Sequence, residues 1–142
     1  MIYSLAFTQA IFCTLFVSDK VRQGFFDFVP TGKMAEALNL TAPTAVKILQ
    51  SLNRAGIIET REGANGGVRL AVPPAQVTLL DILNAIEGGR PLFHAAVRLR
   101  VTGEKPTRAQ AGIARILADA ENAMKSALKN IIIDDLIREL NR

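Results

Sequence analysis

The spacing of apolar residues predicts two consecutive helices in the second quarter of the chain. Residues 33–40 have apolar side chains at helical spacing and include Asn39, which tolerates the left-handed backbone of a tight exit. Residues 41–56 continue with Thr41 as the expected N-cap and Gly56 as the stop. The apolar stripe of this second helix consists of Ala45, Ile48, Leu49 and Leu52. A short helix, a tight turn and a longer helix predict a helix-turn-helix.

The glycine-rich segment REGANGGVRLA, residues 61–71, could form either a phosphate-binding loop or the tip of a hairpin. An apolar pair at residues 57–58 precedes it, and residues 68–72 alternate between apolar and polar as in a half-buried strand. Asn65-Gly66 favours a hairpin turn with two positive φ angles. A phosphate loop needs the GxxxxGK[ST] spacing and a helix directly after it, and neither is present. We therefore expect a hairpin, which after a helix-turn-helix makes a winged helix.

The remaining chain is predicted to be mainly helical. Apolar periodicity predicts helices over residues 4–17, 77–86, 107–129 and 133–140. Thr78 is the expected N-cap of the helix over 77–86, and Gly88-Gly89 its end. The predicted fold class is mainly α with a small two-stranded β wing. Its predicted domains are a winged helix-turn-helix (1–89), a basic loop (90–106), and a long helix with a short closing helix (107–142).

Composition and charge narrow the classes of function only modestly. The 142 residues carry a formal net charge of +4, which suits a polyanionic partner but is also ordinary solubility charge. The single cysteine, Cys13, excludes an intramolecular disulfide or a multi-cysteine metal site. The helix over residues 4–17 is too short to span a bilayer and lacks a positively charged flank. We therefore expect a cytoplasmic protein that does not enter a membrane.

The predicted winged helix has polar and basic residues where the fold meets DNA. In a winged helix the second helix can enter the major groove, and the wing can follow the adjacent phosphates or the minor groove. Thr44, Lys47 and Gln50 are candidate base readers, and the start of this helix suits a phosphate. Arg61 and Arg69 flank a wing tip of small residues. The full set of expected DNA-binding residues is Thr41, Pro43, Thr44, Lys47, Gln50, Arg54, Arg61, Asn65, Gly66, Gly67 and Arg69.

Three segments together resemble the Rrf2 family of bacterial transcription regulators. They are MAEALNLTAPTAVKILQSLNRAGIIETREGANGGVRLA (34–71), VTLLDILNAIEGG (77–89) and IIIDDL (131–136). The resemblance implies a homodimer in which a long C-terminal helix pairs across a two-fold axis and crosses toward the partner's DNA-binding domain. The apolar stripe of the helix over 107–129 agrees with this, because one winged helix hardly covers it. The expected dimer contacts are Ile113, Ile116, Leu117, Ala120, Met124 and Leu128.

The chain departs from the family pattern in three places. Many members have three cysteines, which bind an iron–sulfur cluster, in the loop after the helix ending in Gly-Gly, whereas residues 91–107 contain none. We therefore expect no cofactor and no metal, and interpret His94 in that loop as a surface or packing residue. Basic residues common near the start of the first helix are missing. Glu62 occupies the wing position where an arginine commonly precedes the first glycine, and Arg61, one residue earlier, would point to the opposite side of a regular strand.

Two further candidates concern regulation. Cys13 lies in an apolar helix, where a lone cysteine is more often an inert small side chain than a redox switch. The segment from residue 89 to 115 is the most basic part of the chain. It could bind an anionic effector or more DNA phosphate, although a solvated loop is its default interpretation.

The leading hypothesis is a dimeric, sequence-specific DNA-binding regulator, a repressor, that reads a pseudo-palindromic operator in double-stranded DNA. The alternative is a winged-helix module that docks on another protein, which Glu62 and the non-basic N-terminus favour. An enzyme is the weakest hypothesis, because the one His and the one Cys lie in separate elements and no phosphate loop or metal spacing is present.

Overall fold

The computed structural model describes residues 3–142, so the first two residues of the first predicted domain lie outside it. The elements are α1 (Tyr3–Arg22), α2 (Thr31–Ala37), α3 (Ala42–Arg54), β1 (Ile58–Arg61), β2 (Gly67–Leu70), α4 (Leu79–Glu87), α5 (Glu104–Lys129) and α6 (Ile133–Leu140). A 3₁₀ turn, Pro74–Gln76, follows the hairpin. The predicted fold class, mainly α with a two-stranded wing, is confirmed.

Three helices are longer or begin earlier than the apolar pattern predicts. Helix α1 continues to Arg22 through a polar segment, in which Ser18 is buried and the Lys20 ammonium lies 5.6 Å from the centroid of the Phe16 ring. Helix α2 begins directly after Pro30. Helix α5 begins at Glu104, because Pro106 then occupies its first turn, where a missing N–H costs no helical hydrogen bond.

Helix α1 forms the centre of the molecule. Its side chains Ala10, Cys13 and Val17 are fully buried, and the helix contacts α2, α3, β2, α4 and α6. The buried hydroxyl of Thr14 donates to the Ala10 carbonyl at 2.8 Å, so this polar group has a partner. No helix within residues 3–142 is both long and apolar enough to cross a bilayer.

The helix-turn-helix follows the sequence prediction closely. Asn39 has the expected positive φ, 54°, in the turn between α2 and α3. Thr41 is the N-cap of α3 and accepts a hydrogen bond from the Thr44 amide at 3.3 Å. The predicted stripe is the buried side of α3: Ala45, Ile48, Leu49 and Leu52. The opposite side of α3 is therefore exposed.

The hairpin is antiparallel, as predicted, but its turn is different. The pairs run from Ile58↔Leu70 to Arg61↔Gly67, which leaves residues 62–66 as the loop. Positive φ angles occur at Gly63 (104°) and Gly67 (151°), and neither Asn65 nor Gly66 has one. The predicted Asn65-Gly66 turn is therefore wrong.

The register of the hairpin depends on a contact from outside it. Val29 and Val68 exchange both backbone hydrogen bonds, at 2.8 and 2.9 Å. The backbone of the connector between α1 and α2 therefore pairs with β2 on the edge opposite β1, and β2 begins at Gly67. A Cβ on Gly67 would lie 2.1 Å from the Val29 carbonyl oxygen.

The C-terminal helix returns to this core. Thr78 caps α4 in a capping box with Asp81, and Gly88 ends the helix in the left-handed conformation, both as predicted. The residues after α5 then pair with the start of α4, through Ile133 N–H to the Val77 carbonyl at 2.8 Å and Leu79 N–H to the Ile131 carbonyl at 2.9 Å. Ile133 and Ile137 of α6 are buried in the core. Although α6 follows the long helix in sequence, it packs with the winged helix.

We predict that Gly67→Ala lowers the free energy of unfolding by more than about 2 kcal/mol, because the new Cβ collides with the Val29 backbone at a φ unfavourable for alanine. Gly32→Ala is the matched control, since a Cβ there meets open space in α2; it should leave stability unchanged or raise it by less than about 1 kcal/mol. Urea unfolding of the wild-type protein and the two variants measures both changes in the free energy of unfolding. Equal stability of the two variants would contradict the close approach of Val29 to Gly67.

Candidate nucleic-acid interface

The exposed side of α3 is the largest concentration of predicted site residues. Pro43, Lys47, Gln50 and Arg54 are exposed there, and Thr44 is half-buried. Two residues outside the predicted set share this side, Val46, which is 46% exposed, and Asn53. Asn53 was not among the predicted residues, although it lies one turn after Gln50 on the same side of α3. The helix thus offers a hydroxyl, two amides, an aliphatic side chain and two cations.

The start of α3 has fewer free donors than predicted. The Thr41 hydroxyl accepts from the Thr44 amide and donates to the Thr44 hydroxyl at 2.9 Å. Pro43 has no N–H. The amides of the N-cap Thr41 and of Ala42 are without a partner among residues 3–142. Two backbone N–H groups are therefore available to a phosphate at this end.

One face of the hairpin borders α3. Thr60 of β1 accepts a hydrogen bond from Asn53 Nδ2 at 3.2 Å. An open groove of about 590 Å³ lies between the two elements, with Gln50, Asn53 and Thr60 among its lining residues. Hydrogen-bonding groups of the helix and of the wing therefore share one concave surface.

The other face of the hairpin carries both predicted wing arginines. Side chains alternate along a strand, so Glu59 and Arg61 point away from Thr60, and the pair Glu59↔Arg69 places Arg69 beside them. Arg61 Nη1 donates to Asp27 Oδ2 at 3.4 Å, and Arg69 Nη1 donates to Asp27 Oδ1 at 2.9 Å. Both guanidinium carbons lie 4.3 Å from the centroid of the Phe28 ring. We call Asp27, Phe28, Glu59, Arg61 and Arg69 the Asp27 cluster.

The charges of this cluster balance. Arg69 Nε also donates to Glu59, and this hydrogen bond is the largest cause that raises the pKa of Arg69; desolvation opposes the rise, and the attraction of Glu59 and then of Asp27 adds to it. Two arginines thus face two carboxylates, and Glu62 adds a negative charge at the exposed tip. The wing is therefore not a positively charged surface, contrary to what its two arginines imply in sequence.

The small residues of the wing tip have structural reasons of their own. Arg61 Nη2 donates to the Asn65 carbonyl at 2.7 Å and closes the loop. A Cβ on Gly66 would lie 2.3 Å from the Arg61 carbonyl oxygen, and Gly67 approaches Val29. The two glycines are explained by these contacts within the chain. Asp27 and Phe28 were missed by sequence reasoning because they lie in the connector before α2, far from the wing in sequence.

The basic segment after α4 divides into two parts. Arg90 lines a groove with Lys47 of α3 and Gln9 of α1, and its Nε donates to the Glu87 carbonyl at 3.0 Å. Residues 91–103 run along α5, where Gln110 Nε2 donates to the Val97 carbonyl at 2.8 Å. Glu121 accepts the Leu92 amide, and this bond, together with Lys125, lowers the pKa of Glu121. The segment is therefore attached to α5 at two points.

Helix α5 has an exposed apolar face. Ile113, Ile116 and Met124 are 53%, 60% and 38% exposed, and Ala120 is exposed between them. Leu117 and Leu128 are half-buried; Leu117 lines a cavity with His94, and Leu128 packs against the core. Four of the six expected dimer contacts therefore form an exposed stripe, and two are partly covered by their own chain.

Cys13 lies in the interior, where burial raises the pKa of its thiol to about 12. A thiol with this pKa stays protonated at physiological pH and is a poor nucleophile. Its surroundings are those of an inert core side chain. His94 is exposed at the edge of the cavity beside Leu117.

Comparison with known proteins identifies relatives over most of the chain. The model of the Rrf2 family, described as an iron-dependent transcriptional regulator, matches residues 13–139. Protein aau3 of Rhizobium meliloti is 35% identical over 106 residues, 75% of this chain and 68% of that protein. The transcriptional repressor NsrR of Streptomyces coelicolor is 26% identical over 107 residues, 75% of this chain and 70% of that protein. The structure of CymR, the global cysteine regulator of B. subtilis, superposes with a TM-score of 0.66 and 22% identity, covering 96% of this chain and 95% of CymR.

The iron in that family description has no matching ligand set in this chain. The only cysteine of the sequence is Cys13, and it is buried inside α1. Within residues 3–142, no three side chains of His, Cys, Asp or Glu come close enough together to hold a metal ion. The residues therefore do not fit a cluster bound by several thiolates.

We predict that Cys13 reacts with a thiol reagent such as Ellman's reagent only in the unfolded protein. Its ionisation also affects stability, since its pKa is about 12 in the folded protein against 9.0 for the free group. Above pH 9 the unfolded state gains by losing this proton, so stability falls as the pH rises from 9 toward 12. Cys13→Ala should flatten this fall. Rapid labelling of the native protein at neutral pH would contradict the assignment.

Proposed function

The chain belongs to the Rrf2 family of transcription regulators, and from this premise we propose that it is a homodimeric, sequence-specific DNA-binding repressor without an iron–sulfur cluster. The exposed side of α3 is the observation that carries the proposal. Lys47, Gln50 and Asn53 are exposed on consecutive turns of one helix, with Val46 beside them. Amides pair with adenine, a cation with guanine or phosphate, and an aliphatic group with the thymine methyl.

The proposed dimer rests on the exposed stripe of α5. An aliphatic face with Ile113 and Ile116 more than half exposed is unfavourable in water, and pairing with the same face of a second copy removes it from solvent. Two recognition helices then read two half-sites about one helical turn apart. An operator with approximate two-fold symmetry follows from this arrangement.

The proposal of a cluster-free regulator rests on the single buried cysteine. A repressor without a cluster needs another signal. The basic segment along α5 is our candidate for it, because Arg98 and Arg100 are exposed there and suit an anionic effector. The repressor sense is supported by the printed name of the relative NsrR.

A protein partner in place of DNA is the second candidate function. The balanced charges of the Asp27 cluster and the acidic tip at Glu62 favour it, because DNA phosphates attract neither. Selection of binding sites from random duplex DNA separates the two functions. Enrichment of an inverted repeat supports the regulator, and no enrichment by a folded dimer favours the protein partner.

We predict that Lys47→Ala weakens binding to the selected operator about tenfold and reduces the slope of log affinity against log salt by about 1 if Lys47 contacts a phosphate. Lys129→Ala removes an equal charge from the exposed end of α5 and serves as the matched control. It should leave the affinity within about twofold, because only nonspecific charge is lost. Equal losses of operator affinity in both variants would show that Lys47 does not contact the operator.

We predict that Ile116→Glu converts the dimer to a monomer and weakens operator binding at least about a hundredfold, because a charge enters the apolar stripe and one half-site is lost. Ser126→Glu adds the same charge at an exposed residue of α5 outside the stripe and should remain dimeric. Light scattering after size-exclusion chromatography reports the mass. A dimeric Ile116→Glu protein would contradict the proposed interface.

A further inference from the structure

Asp27 links the two wing arginines to each other. Its Oδ2 accepts from Arg61 at 3.4 Å and its Oδ1 from Arg69 at 2.9 Å. One carboxylate therefore occupies N–H donors of both guanidinium groups. These are the donors that a phosphate oxygen would use, since carboxylate and phosphate bind the same planar fork.

Phe28 and the hairpin determine where the arginines are held. Both guanidinium groups lie over the Phe28 ring, on the hairpin face that is turned away from Thr60 and α3. The side chains are therefore held against the connector between α1 and α2. They are not directed along the surface that α3 presents.

The ion pairs of Asp27 with the two arginines are exposed, so another anion can displace the carboxylate. The Asp27 side chain is 65% exposed, and the side chains of Arg61 and Arg69 are 45% and 38% exposed. Ion pairs at this exposure are weak, because water screens them and competes for the same donors. A phosphate in DNA held close by α3 is a stronger competitor than water, because it is ionised and already positioned.

We propose that Asp27 sets the DNA affinity of this protein by occupying the phosphate-binding groups of Arg61 and Arg69, which bind DNA only when phosphates displace it. Asp27 acts through the two arginines and does not itself contact DNA. The inference rests on the proposed function, since it concerns how that same DNA surface is limited. Glu59 remains the cross-strand partner of Arg69 in both states.

The test compares Asp27→Asn with the wild-type protein on two probes, the selected operator and a nonspecific duplex. Asparagine keeps the shape of the side chain but removes the charge that competes with phosphate. We expect affinity for both duplexes to rise roughly 3- to 30-fold and the slope of log affinity against log salt to steepen by about 1 to 2, one unit for each arginine released. A residue that only stabilises the wing would give a loss, never a gain.

Two controls separate release of the arginines from a general change of charge. Glu62→Gln removes one negative charge from the same wing, and Glu62 has no ion-pair partner within residues 3–142. It should change affinity by less than about threefold and leave the salt slope nearly unchanged. In the Arg61→Ala, Arg69→Ala background, adding Asp27→Asn should produce no gain.

Each remaining outcome has a definite meaning. A gain for Glu62→Gln equal to that for Asp27→Asn, or a gain that persists without the arginines, overturns the proposal. A loss or no change for Asp27→Asn, with the thermal midpoint of unfolding preserved, overturns it as well. Should no operator be enriched, the proposed sequence-specific function fails, and the nonspecific duplex still decides whether Asp27 limits the arginines.

Discussion

The burial of α1 is the constraint on which the rest of the molecule depends. Small and medium side chains at Ala10, Cys13 and Val17 are fully enclosed, so the elements around them can approach the helix closely. Helices α3, α4 and α6 and strand β2 all contact α1. Because the buried side of α3 packs against this core, the core fixes the orientation of the exposed side of α3. The DNA-reading surface that we propose is therefore positioned by contacts made on the opposite side of the same helix.

The wing is positioned by a different kind of contact, the backbone pairing of Val29 with Val68. This pairing brings the connector between α1 and α2 to the edge of β2 and requires glycine at residue 67. It also carries Asp27 and Phe28, which precede Val29 directly, to the face of the hairpin where the arginines lie. A single edge pairing thus determines both the register of the wing and the neutralisation of its charge.

The long helix has a different relation to the core. Within the described chain α5 has no buried residue. It contacts α4 and the segment after α4, and its Leu128 packs against the core. The chain nevertheless returns through α6, whose Ile133 and Ile137 complete the core beside α1. The exposed apolar stripe of α5 is the surface on which the proposed dimer rests.

What the sequence alone determined was local. The helical period assigned the buried stripe of α3 correctly, Thr41 and Thr78 were identified as caps, and Asn39 was identified as the left-handed residue, because each depends on neighbours within one or two turns. The wing turn at Gly63 and Gly67, the packing of α6 and the Asp27 cluster were decided only by the tertiary structure. Arg61 and Arg69 lie 34 and 42 residues from Asp27, and no local pattern encodes which distant charges meet. Whether an arginine is free for a phosphate depends on the path of the whole chain, since that path brings the competing carboxylate to it.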